Sequence, residues 1–186
     1  MSEALFDLKW SLAVQTRAQA VKLVALDVDG VLTDGGLWFN DVGQEMKRFF
    51  VRDGMGIRLL LESGITVGCI TARHSDVVTC RSRELGLSFL HQGVHDKWAC
   101  LQQELAQRGL DASQCAYMGD DLIDLPVLIR VGLACAPVDA DLEVRSRVHW
   151  VASKSSGAGA VRELAEGILK IQGNWQQLMA RWIGSG

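Results

Sequence analysis

Residues 23–35 read LVALDVDGVLTDG, an apolar run that ends in two aspartates one residue apart, followed by glycine. Alternate residues of a strand point to the same face, so Asp27 and Asp29 would lie close together if the strand continued. Gly30 lets the chain turn out of the sheet immediately afterwards. Two carboxylates held this close stay ionised only where a cation or hydrogen-bond donors compensate them. The stretch therefore predicts a buried strand that delivers two acids to a divalent-metal site. The alternative is an Asp-rich turn that caps the next element.

Short apolar runs alternate with amphipathic segments along the rest of the chain. We expect strands near residues 21–27, 65–70, 88–90, 114–118, 132–135 and 148–151, and helices near residues 54–63, 75–85, 96–108, 121–130 and 159–171. This alternation is typical of a parallel sheet with helices on both faces, so the sequence predicts a Rossmann-like, three-layer α/β/α fold. In such folds ligands bind beyond the carboxyl ends of the strands, which is where Asp27, Thr71 and Asp120 fall.

Length and composition favour one cytoplasmic domain spanning residues 1–186. Hydrophobic residues make up 48% of the chain, and its formal net charge of −3 provides no basic field for nucleic acid. The five cysteines are an odd number without zinc-site spacing, which is typical of reduced core residues in a cytosolic protein. Charged residues interrupt the N-terminal stretch 4–20, so we expect neither a signal peptide nor a membrane span.

Two segments stand outside the alternation of strands and helices. Residues 36–51 hold two short apolar stretches around a turn, which predicts a β-hairpin inserted between the first strand and the first helix. Because little else could cover its aromatic residues, we expect this hairpin to pack against other subunits; the alternative is a hairpin folded onto its own domain. The tail 173–186 carries apolar residues at helical spacing, namely Trp175, Leu178, Met179 and Trp182. This stripe would pack either on its own domain or along a neighbouring subunit.

Further motifs follow the later strands in the order that one chemistry requires. Residues 64–71 form an apolar run that ends in the hydroxyl of Thr71, and Lys97 opens a helical pattern. Residues 119–124, with the sequence GDDLID, end a third run in glycine and a cluster of acids. This succession resembles the haloacid dehalogenase superfamily of aspartate-nucleophile phosphatases, and the resemblance covers about residues 20–172.

Longer segments narrow the resemblance to the capless subgroup that acts on 3-deoxy-D-manno-octulosonate 8-phosphate. They are residues 27–35 (DVDGVLTDG), 52–58 (RDGMGIR), 70–73 (ITAR), 119–124 (GDDLID) and 159–163 (GAVRE), together with the isolated Lys97. Ala72 stands where the subgroup usually has glycine, and residues 156–159 are less glycine-rich and less basic than the loop often found there. The resemblance implies a fold without a cap domain, a place in lipopolysaccharide sugar biosynthesis, and a homotetramer in which the hairpins form a central barrel.

The resemblance also implies a Mg²⁺-dependent phosphatase that works through an aspartyl phosphate. Asp27 is expected to attack phosphorus, and Asp29 to act as general acid and then as general base. Mg²⁺ would be held by Asp27, the backbone carbonyl of Asp29, and Asp120. Asp124 would act through water or orient Asp120.

Lys97 and Thr71 are expected to contact the phosphate as a point charge and a hydroxyl donor. One alternative is a solvated lysine at a helix start, which is disfavoured because a cation there opposes the helix dipole. The other is a threonine that only caps a helix. Asp121 is placed outside the metal shell, as the cap of the helix that follows it.

Substrate recognition needs a partner for the carboxylate of a sugar acid, and a guanidinium matches its two oxygens with two parallel donors. The resemblance gives a set of substrate-contacting positions: Asp29, Phe50, Val51, Arg52, Asp53, Gly54, Arg58, Arg73, Arg81 and Lys97. For Arg81, the alternative is a surface ion pair with Glu84 three residues on.

Three rival functions fit parts of the same sequence pattern. A phosphatase of nine-carbon, sialic-acid-type sugar 9-phosphates would share every catalytic residue and differ only in recognition, so the sequence leaves it open. A non-catalytic oligomerisation module of the same fold is disfavoured by the intact Asp27, Asp29, Lys97 and Asp120. A phosphoacceptor signalling domain also gathers aspartates, a threonine and a lysine around Mg²⁺, and the second acid at Asp29 favours turnover instead.

Overall fold

The computed structural model describes residues 10–184 of the chain. Its central strands are β1 (Leu23–Leu26), β4 (Thr66–Ile70), β5 (Phe89–His91), β6 (Cys115–Met118), β7 (Leu133–Ala136) and β8 (Trp150–Val151). They form a six-stranded sheet in the order β5-β4-β1-β6-β7-β8, and every neighbouring pair is parallel. A separate antiparallel hairpin consists of β2 (Trp38–Phe39) and β3 (Glu45–Met46).

Helices cover both faces of the sheet. They are α1 (Leu12–Gln19), α2 (Val51–Glu62), α3 (Asp76–Leu85), α4 (Lys97–Gln107), α5 (Leu125–Leu128), α6 (Leu142–Arg145), α7 (Ala160–Ile171) and α8 (Trp175–Ile183). Alternate residues of β1 point to opposite faces. Val24 and Leu26 join the apolar layer that contains α1, α2 and α7, whereas Leu23 and Ala25 join the layer under α4 and α5. The predicted three-layer α/β/α fold is confirmed.

The predicted strands all appear, but several helices differ from expectation. The helix expected near residues 121–130 is a 3-10 turn over Leu122–Asp124 followed by the single turn of α5. Asp121 caps this turn by accepting a hydrogen bond from the N–H of Leu122 at 2.7 Å, as predicted. The helices α1 and α6 were not predicted, because each is short and α1 buries only Val14 and Ala18 of its own residues.

The hairpin presents an apolar surface to solvent. Trp38 pairs with Met46 across its two strands, and their side chains are 60% and 51% exposed. Leu37, Phe39 and Val42 are also exposed. Phe49, by contrast, lies after the second strand and packs against the core. The hairpin is therefore not folded onto its own domain through these five residues, and its contact with other subunits stays a prediction.

The tail helix α8 packs partly on its own domain. Leu178 is buried, and Trp175 and Met179 pack against the apolar layer that contains α7. Trp182 is 63% exposed. The first three residues of the predicted stripe therefore support packing within the subunit, and only the end of α8 is left for a neighbour. Across residues 10–184, no helix has the length and apolar character needed to cross a bilayer.

Gly167 in α7 lies directly against the side chain of Trp10, the first described residue. Replacing a glycine inside a helix with alanine usually stabilises the helix by about 0.5–1 kcal/mol. Here a Cβ would lie 2.2 Å from Cζ2 of Trp10, which is buried and packs against Trp150 with ring centroids 4.9 Å apart. We therefore expect Gly167→Ala to lower the free energy of unfolding by about 1–3 kcal/mol, the usual cost of overpacking.

Urea denaturation of a double-mutant cycle measures this effect. In a Trp10→Leu background the smaller side chain leaves room for the methyl group, so the same alanine substitution should cost less or become stabilising. A Gly167→Ala protein that is more stable than the wild type would show that Trp10 does not occupy this position.

Candidate active site

Three neighbouring strands deliver polar residues to one edge of the sheet. Asp27 follows β1 directly, and its backbone N–H donates to the carbonyl of Met118 at 3.0 Å, which continues the pairing of β1 with β6. Thr71 follows β4, and Asp120 lies two residues beyond β6. Carboxylate oxygens of Asp27, Asp120 and Asp124 lie within 4.8 Å of one another. The carboxyl edge of the sheet thus carries an acidic cluster, which we define as these three aspartates.

Lys97 is buried inside the acidic cluster. Its side chain is 1% exposed, and Nζ lies 2.8 Å from Asp27 Oδ2 and 2.7 Å from Asp124 Oδ1. Lys97 is the first residue of α4, which begins there because Asp96 caps it by accepting a hydrogen bond from the N–H of Ala99 at 2.9 Å. The alternative of a solvated lysine at a helix start is therefore wrong.

Asp124 is enclosed by donors on both of its oxygens. Besides Lys97, Oδ1 accepts a hydrogen bond from the hydroxyl of Tyr117 at 2.7 Å. Oδ2 accepts from the backbone N–H groups of Asp120 at 3.1 Å and Asp121 at 3.4 Å. Since these bonds position both Asp120 and Lys97, the geometry supports the prediction that Asp124 orients Asp120.

The rest of the acidic cluster fits a divalent cation. Within the described residues, Asp120 Oδ1 is buried without a hydrogen-bond partner, which is costly for a carboxylate. Gly30 is what allows Asp120 to come this close, because a Cβ at that position would lie 2.0 Å from Asp120 Oδ2. With Lys97 protonated and the three aspartates ionised, the formal charge is −2. Mg²⁺ prefers oxygen ligands and would balance this charge.

Burial and mutual repulsion shift the pKa values of the cluster. Burial, followed by the charge of Asp124, raises the pKa of Asp27 from 3.8 to about 7, although Lys97 opposes the shift. Burial and the charges of Asp27 and Asp124 raise the pKa of Asp120 from 3.8 to about 8. Burial alone would lower the pKa of Lys97, but the two carboxylates it contacts raise it above its ordinary value. Without a metal, the cluster therefore holds protons near neutral pH.

Asp29 is joined to the hairpin by an ion pair with Lys47 Nζ. The same ammonium lies 3.2 Å from Glu45 Oε1, and Nη2 of Arg73 lies 2.8 Å from that oxygen. The sequence did not predict roles for Glu45, Lys47 and Tyr117. The signal for the first two was a pair of opposite charges two residues apart, which places them on the same side of an extended chain, whereas Tyr117 inside an apolar run gave none.

Thr71 is buried beside the acidic cluster, at 2% exposure. Its Oγ1 accepts a hydrogen bond from the N–H of Arg73 at 3.3 Å, and its own N–H donates to the carbonyl of His91 at 2.9 Å. The next helix, α3, begins after Ser75. The alternative of a helix-capping threonine is therefore wrong.

The predicted recognition arginines differ in their surroundings. Arg52 and Arg58 are exposed on α2, and Arg73 is 43% exposed at the edge of the site. Arg81 Nη1 lies 2.8 Å from Glu84 Oε2, so the alternative ion pair is present. Contact of these arginines with a substrate stays a prediction.

The segment 50–54, predicted to contact substrate, leads into and opens α2. Its Asp53 carboxylate is buried and accepts hydrogen bonds from the backbone N–H groups of Gly159 at 3.2 Å and Arg162 at 2.8 Å. The carboxylate of Asp53 therefore caps α7, and its contact with substrate stays a prediction.

Comparisons with known proteins agree with this geometry. The chain matches a solved structure of a HAD-superfamily (subfamily III A) hydrolase from Legionella pneumophila with a TM-score of 0.89 and 37% identity, covering 93% of this chain and 95% of that one. The parallel sheet and the aspartate–lysine cluster at its carboxyl edge thus define a hydrolase of the haloacid dehalogenase class. No protein-family model matches the chain.

Relatives with a named activity identify the family to which the chain belongs. The chain is 42% identical over 156 residues to 3-deoxy-D-manno-octulosonate 8-phosphate phosphatase KdsC of Yersinia pestis, covering 84% of this chain and 83% of that protein. It matches the crystal structure of the Moraxella catarrhalis enzyme of the same name, in complex with magnesium, phosphate and KDO, with a TM-score of 0.89 and 39% identity, covering 91% and 97%. The chain belongs to the 3-deoxy-D-manno-octulosonate 8-phosphate phosphatase family.

The raised pKa values predict how the stability of the metal-free protein depends on pH. Asp27 and Asp120 have folded-state pKa values of about 7 and about 8 against 3.8 in a free chain. Between these limits the folded state binds more protons than the unfolded state, so the contribution of these groups to stability falls as pH rises from about 4 to about 8. Asp120→Asn removes one buried charge, so the melting temperature of the metal-free variant should fall less over this range than that of the wild type.

Thermal melts with and without Mg²⁺ test this at pH 5.5 and pH 8. Mg²⁺ binds the deprotonated carboxylates, so it should raise the melting temperature of the wild type most at pH 8 and that of Asp120→Asn little. Asp121→Asn is the matched control, since asparagine also caps a helix and this side chain lies at the exposed cap. Equal pH dependence in the wild type and Asp120→Asn would contradict the assignment.

Proposed function

We propose that this protein hydrolyses 3-deoxy-D-manno-octulosonate 8-phosphate to the free sugar acid and inorganic phosphate, with Mg²⁺ as cofactor. The observation that carries the proposal is the buried cluster of Asp27, Asp120 and Asp124 around Lys97, in a chain of this family. Such a cluster can accept a phosphoryl group next to a bound cation. The catalysis is mainly positional and electrostatic, as phosphoryl transfer requires.

Asp27 serves as the nucleophile in this proposal. Its carboxylate oxygen attacks phosphorus, the bond from phosphorus to the sugar oxygen breaks, and an aspartyl phosphate forms. Asp29 gives its proton to the departing sugar oxygen. It then takes a proton from the water that attacks the aspartyl phosphate, which releases phosphate and restores Asp27. Lys97, held 2.8 Å from Asp27, offsets the negative charge that gathers when the two anions meet.

The metal site consists of Asp27, Asp120 and the backbone carbonyl of Asp29, and Asp124 orients Asp120 through the shared turn. Mg²⁺ bound there supplies charge compensation for the phosphoryl oxygens. The orphaned Oδ1 of Asp120 and the formal charge of the cluster support this donor set. Thr71 offers its hydroxyl to the phosphate from the neighbouring strand end.

Recognition of the sugar acid is assigned to the arginines near the carboxyl edge and to the start of α2. Arg73 is the strongest candidate, because it is partly exposed and reaches from the loop after β4 towards Asp29, with Nε 3.7 Å from Oδ2. A guanidinium in that position can bind the substrate carboxylate through two donors. A nine-carbon sugar 9-phosphate would use the same catalytic residues, so substrate choice depends on these contacts.

The same proposal extends to assembly and cellular role. The exposed apolar hairpin supports a homotetramer, since a contiguous apolar surface of this kind marks a subunit contact. We place the enzyme in the cytoplasm, where it would supply the free eight-carbon sugar acid for lipopolysaccharide biosynthesis.

A phosphate-release assay tests the reaction. The wild type should release phosphate from 3-deoxy-D-manno-octulosonate 8-phosphate with a higher kcat/KM than from a nine-carbon nonulosonate 9-phosphate, and EDTA should abolish both. Asp27→Asn removes the nucleophile and a metal ligand together, so turnover should fall to background while the fold persists. Asp34→Asn, which alters a less buried acid of the same loop, should remain active.

Two results would contradict the proposal. Appreciable Mg²⁺-dependent hydrolysis by purified Asp27→Asn would remove the nucleophile assignment. A preference for the nine-carbon substrate would keep the mechanism and replace the substrate.

Light scattering tests the assembly. Trp38→Lys and Met46→Glu place charges on the paired, exposed positions of the hairpin, so each should shift the tetramer to smaller species. Leu142→Glu alters an apolar residue that is 68% exposed on α6, outside the hairpin, and should leave the mass unchanged. A wild-type monomer at micromolar concentration would rule out the tetramer.

A further inference from the structure

Four charged side chains form a closed ring between the hairpin and the loops that follow β1 and β4. Asp29 contacts Lys47, Lys47 lies 3.2 Å from Glu45, Glu45 lies 2.8 Å from Arg73, and Nε of Arg73 lies 3.7 Å from Asp29 Oδ2. The signs of the charges alternate around the ring. The ring therefore ties the hairpin electrostatically to the residue proposed as general acid.

Lys47 is the buried member of this ring. Its side chain is 1% exposed, although the hairpin that carries it is largely open to solvent. A buried ammonium is costly unless it is paired on several sides, and Lys47 is paired with Asp29 and Glu45. Burial would raise the pKa of Glu45, but hydrogen bonds from its neighbours, Arg73 and Lys47 among them, lower it to about 2. Glu45 therefore stays anionic and anchors Lys47 at every assay pH.

The two oxygens of Asp29 have different surroundings. Oδ1 accepts a hydrogen bond from Lys47. Oδ2 is buried and, among the described residues, has no hydrogen-bond partner. A carboxylate fixed through one oxygen presents the other in a defined direction, which is what a proton donor in a displacement reaction needs.

We propose that Lys47 is a positioning residue: by holding Oδ1 of Asp29 it aims Oδ2 at the leaving oxygen of the substrate, and Glu45 holds Lys47 in turn. This inference rests on the proposed role of Asp29 as general acid. In the step concerned, the proton moves from Oδ2 to the sugar oxygen as the bond from phosphorus to that oxygen breaks. Lys47 binds Oδ1 of Asp29 and not the Oδ2 that carries the proton, so in this proposal it acts through the placement of Asp29.

Two substrates with different leaving groups separate positioning from general damage. A sugar alkoxide is a strong base and needs a proton as it leaves, whereas p-nitrophenolate is a weak base and leaves without one. Lys47→Met should lower kcat/KM for 3-deoxy-D-manno-octulosonate 8-phosphate by about 10- to 100-fold, because this parameter reports the formation of the aspartyl phosphate, in which the proton is donated, and a misplaced catalytic group costs up to about two orders of magnitude. Its kcat/KM for p-nitrophenyl phosphate should stay within about threefold, because that leaving group needs no proton and the later attack of water, which also uses Asp29, affects only kcat.

Three further variants complete the experiment. Asp29→Asn is the reference variant, and it should show the same selective loss of activity towards the sugar phosphate with a larger magnitude. Glu45→Gln loosens the anchor and should give a smaller selective loss. Arg48→Met is the matched control, since Arg48 is the next cation of the hairpin, is 66% exposed and lies 3.7 Å from Asp34, so both substrates should be unaffected.

The possible outcomes distinguish this inference from the proposed function. If Asp29→Asn lowers kcat/KM for both substrates equally, Asp29 is not the general acid and the proposed mechanism fails. If Asp29→Asn is selective but Lys47→Met lowers kcat/KM for both substrates equally or for neither, the positioning role is overturned. If Lys47→Met does not fold by circular dichroism, Lys47→Arg carries the test: it keeps the charge and the fold but displaces the donor, and a selective loss is still expected.

Discussion

The charge balance around the Lys97 ammonium is the constraint on which the rest of the structure depends. Three carboxylates converge at the carboxyl edge of the sheet, and without a cation among them they would repel and take up protons. Lys97 reaches two of them from the first turn of α4, at 2.8 and 2.7 Å. One internal positive charge leaves the cluster two charges short of neutrality, so the site is complete only with a divalent cation. Binding of a divalent cation therefore affects both the chemistry and the stability of the carboxyl edge of the sheet.

Two glycines, Gly30 and Gly119, make it possible for the acids of the cluster to come together. A Cβ on Gly30 would lie 2.0 Å from Asp120, and one on Gly119 would lie 2.4 Å from Cγ of Asp124. Gly30 lets the loop after β1 approach the loop after β6, and Gly119 lets the loop after β6 fold back so that Asp124 reaches the backbone of Asp120. Around them the sheet is rigid, since β1 is paired in parallel on both sides and buried on both faces. Close-packed strands hold the acids in place, and the glycines let the acids meet.

Local sequence patterns predicted the segments in which a polar residue of the site directly follows a buried strand. The run 23–35 predicted the central strand and its two acids because a charged residue at the end of an apolar run has few structural reasons to be there. The order of Thr71, Lys97 and Asp120 predicted the edge of the sheet at which the acidic cluster lies. The sequence did not predict α1, which packs against α7, an element far away in the chain, next to the contact of Trp10 with Gly167. Nor did it assign the hydroxyl of Tyr117 to Asp124, because an aromatic residue in a core strand gives no sign of the partner its hydroxyl will reach.

The hairpin was predicted for its apolar residues, yet its polar residues connect it to the site. A phosphatase without a cap domain has few elements of its own to cover the substrate, so any segment that lies over the carboxyl edge can contribute to catalysis. Trp38 and Met46 face solvent, whereas the Lys47 ammonium next to them is buried against Asp29. Because the strand is short, movement of its exposed face also moves Lys47. If subunits meet on the hairpin, that contact would hold the Lys47–Asp29 pair in place, and assembly would then help to order the active site.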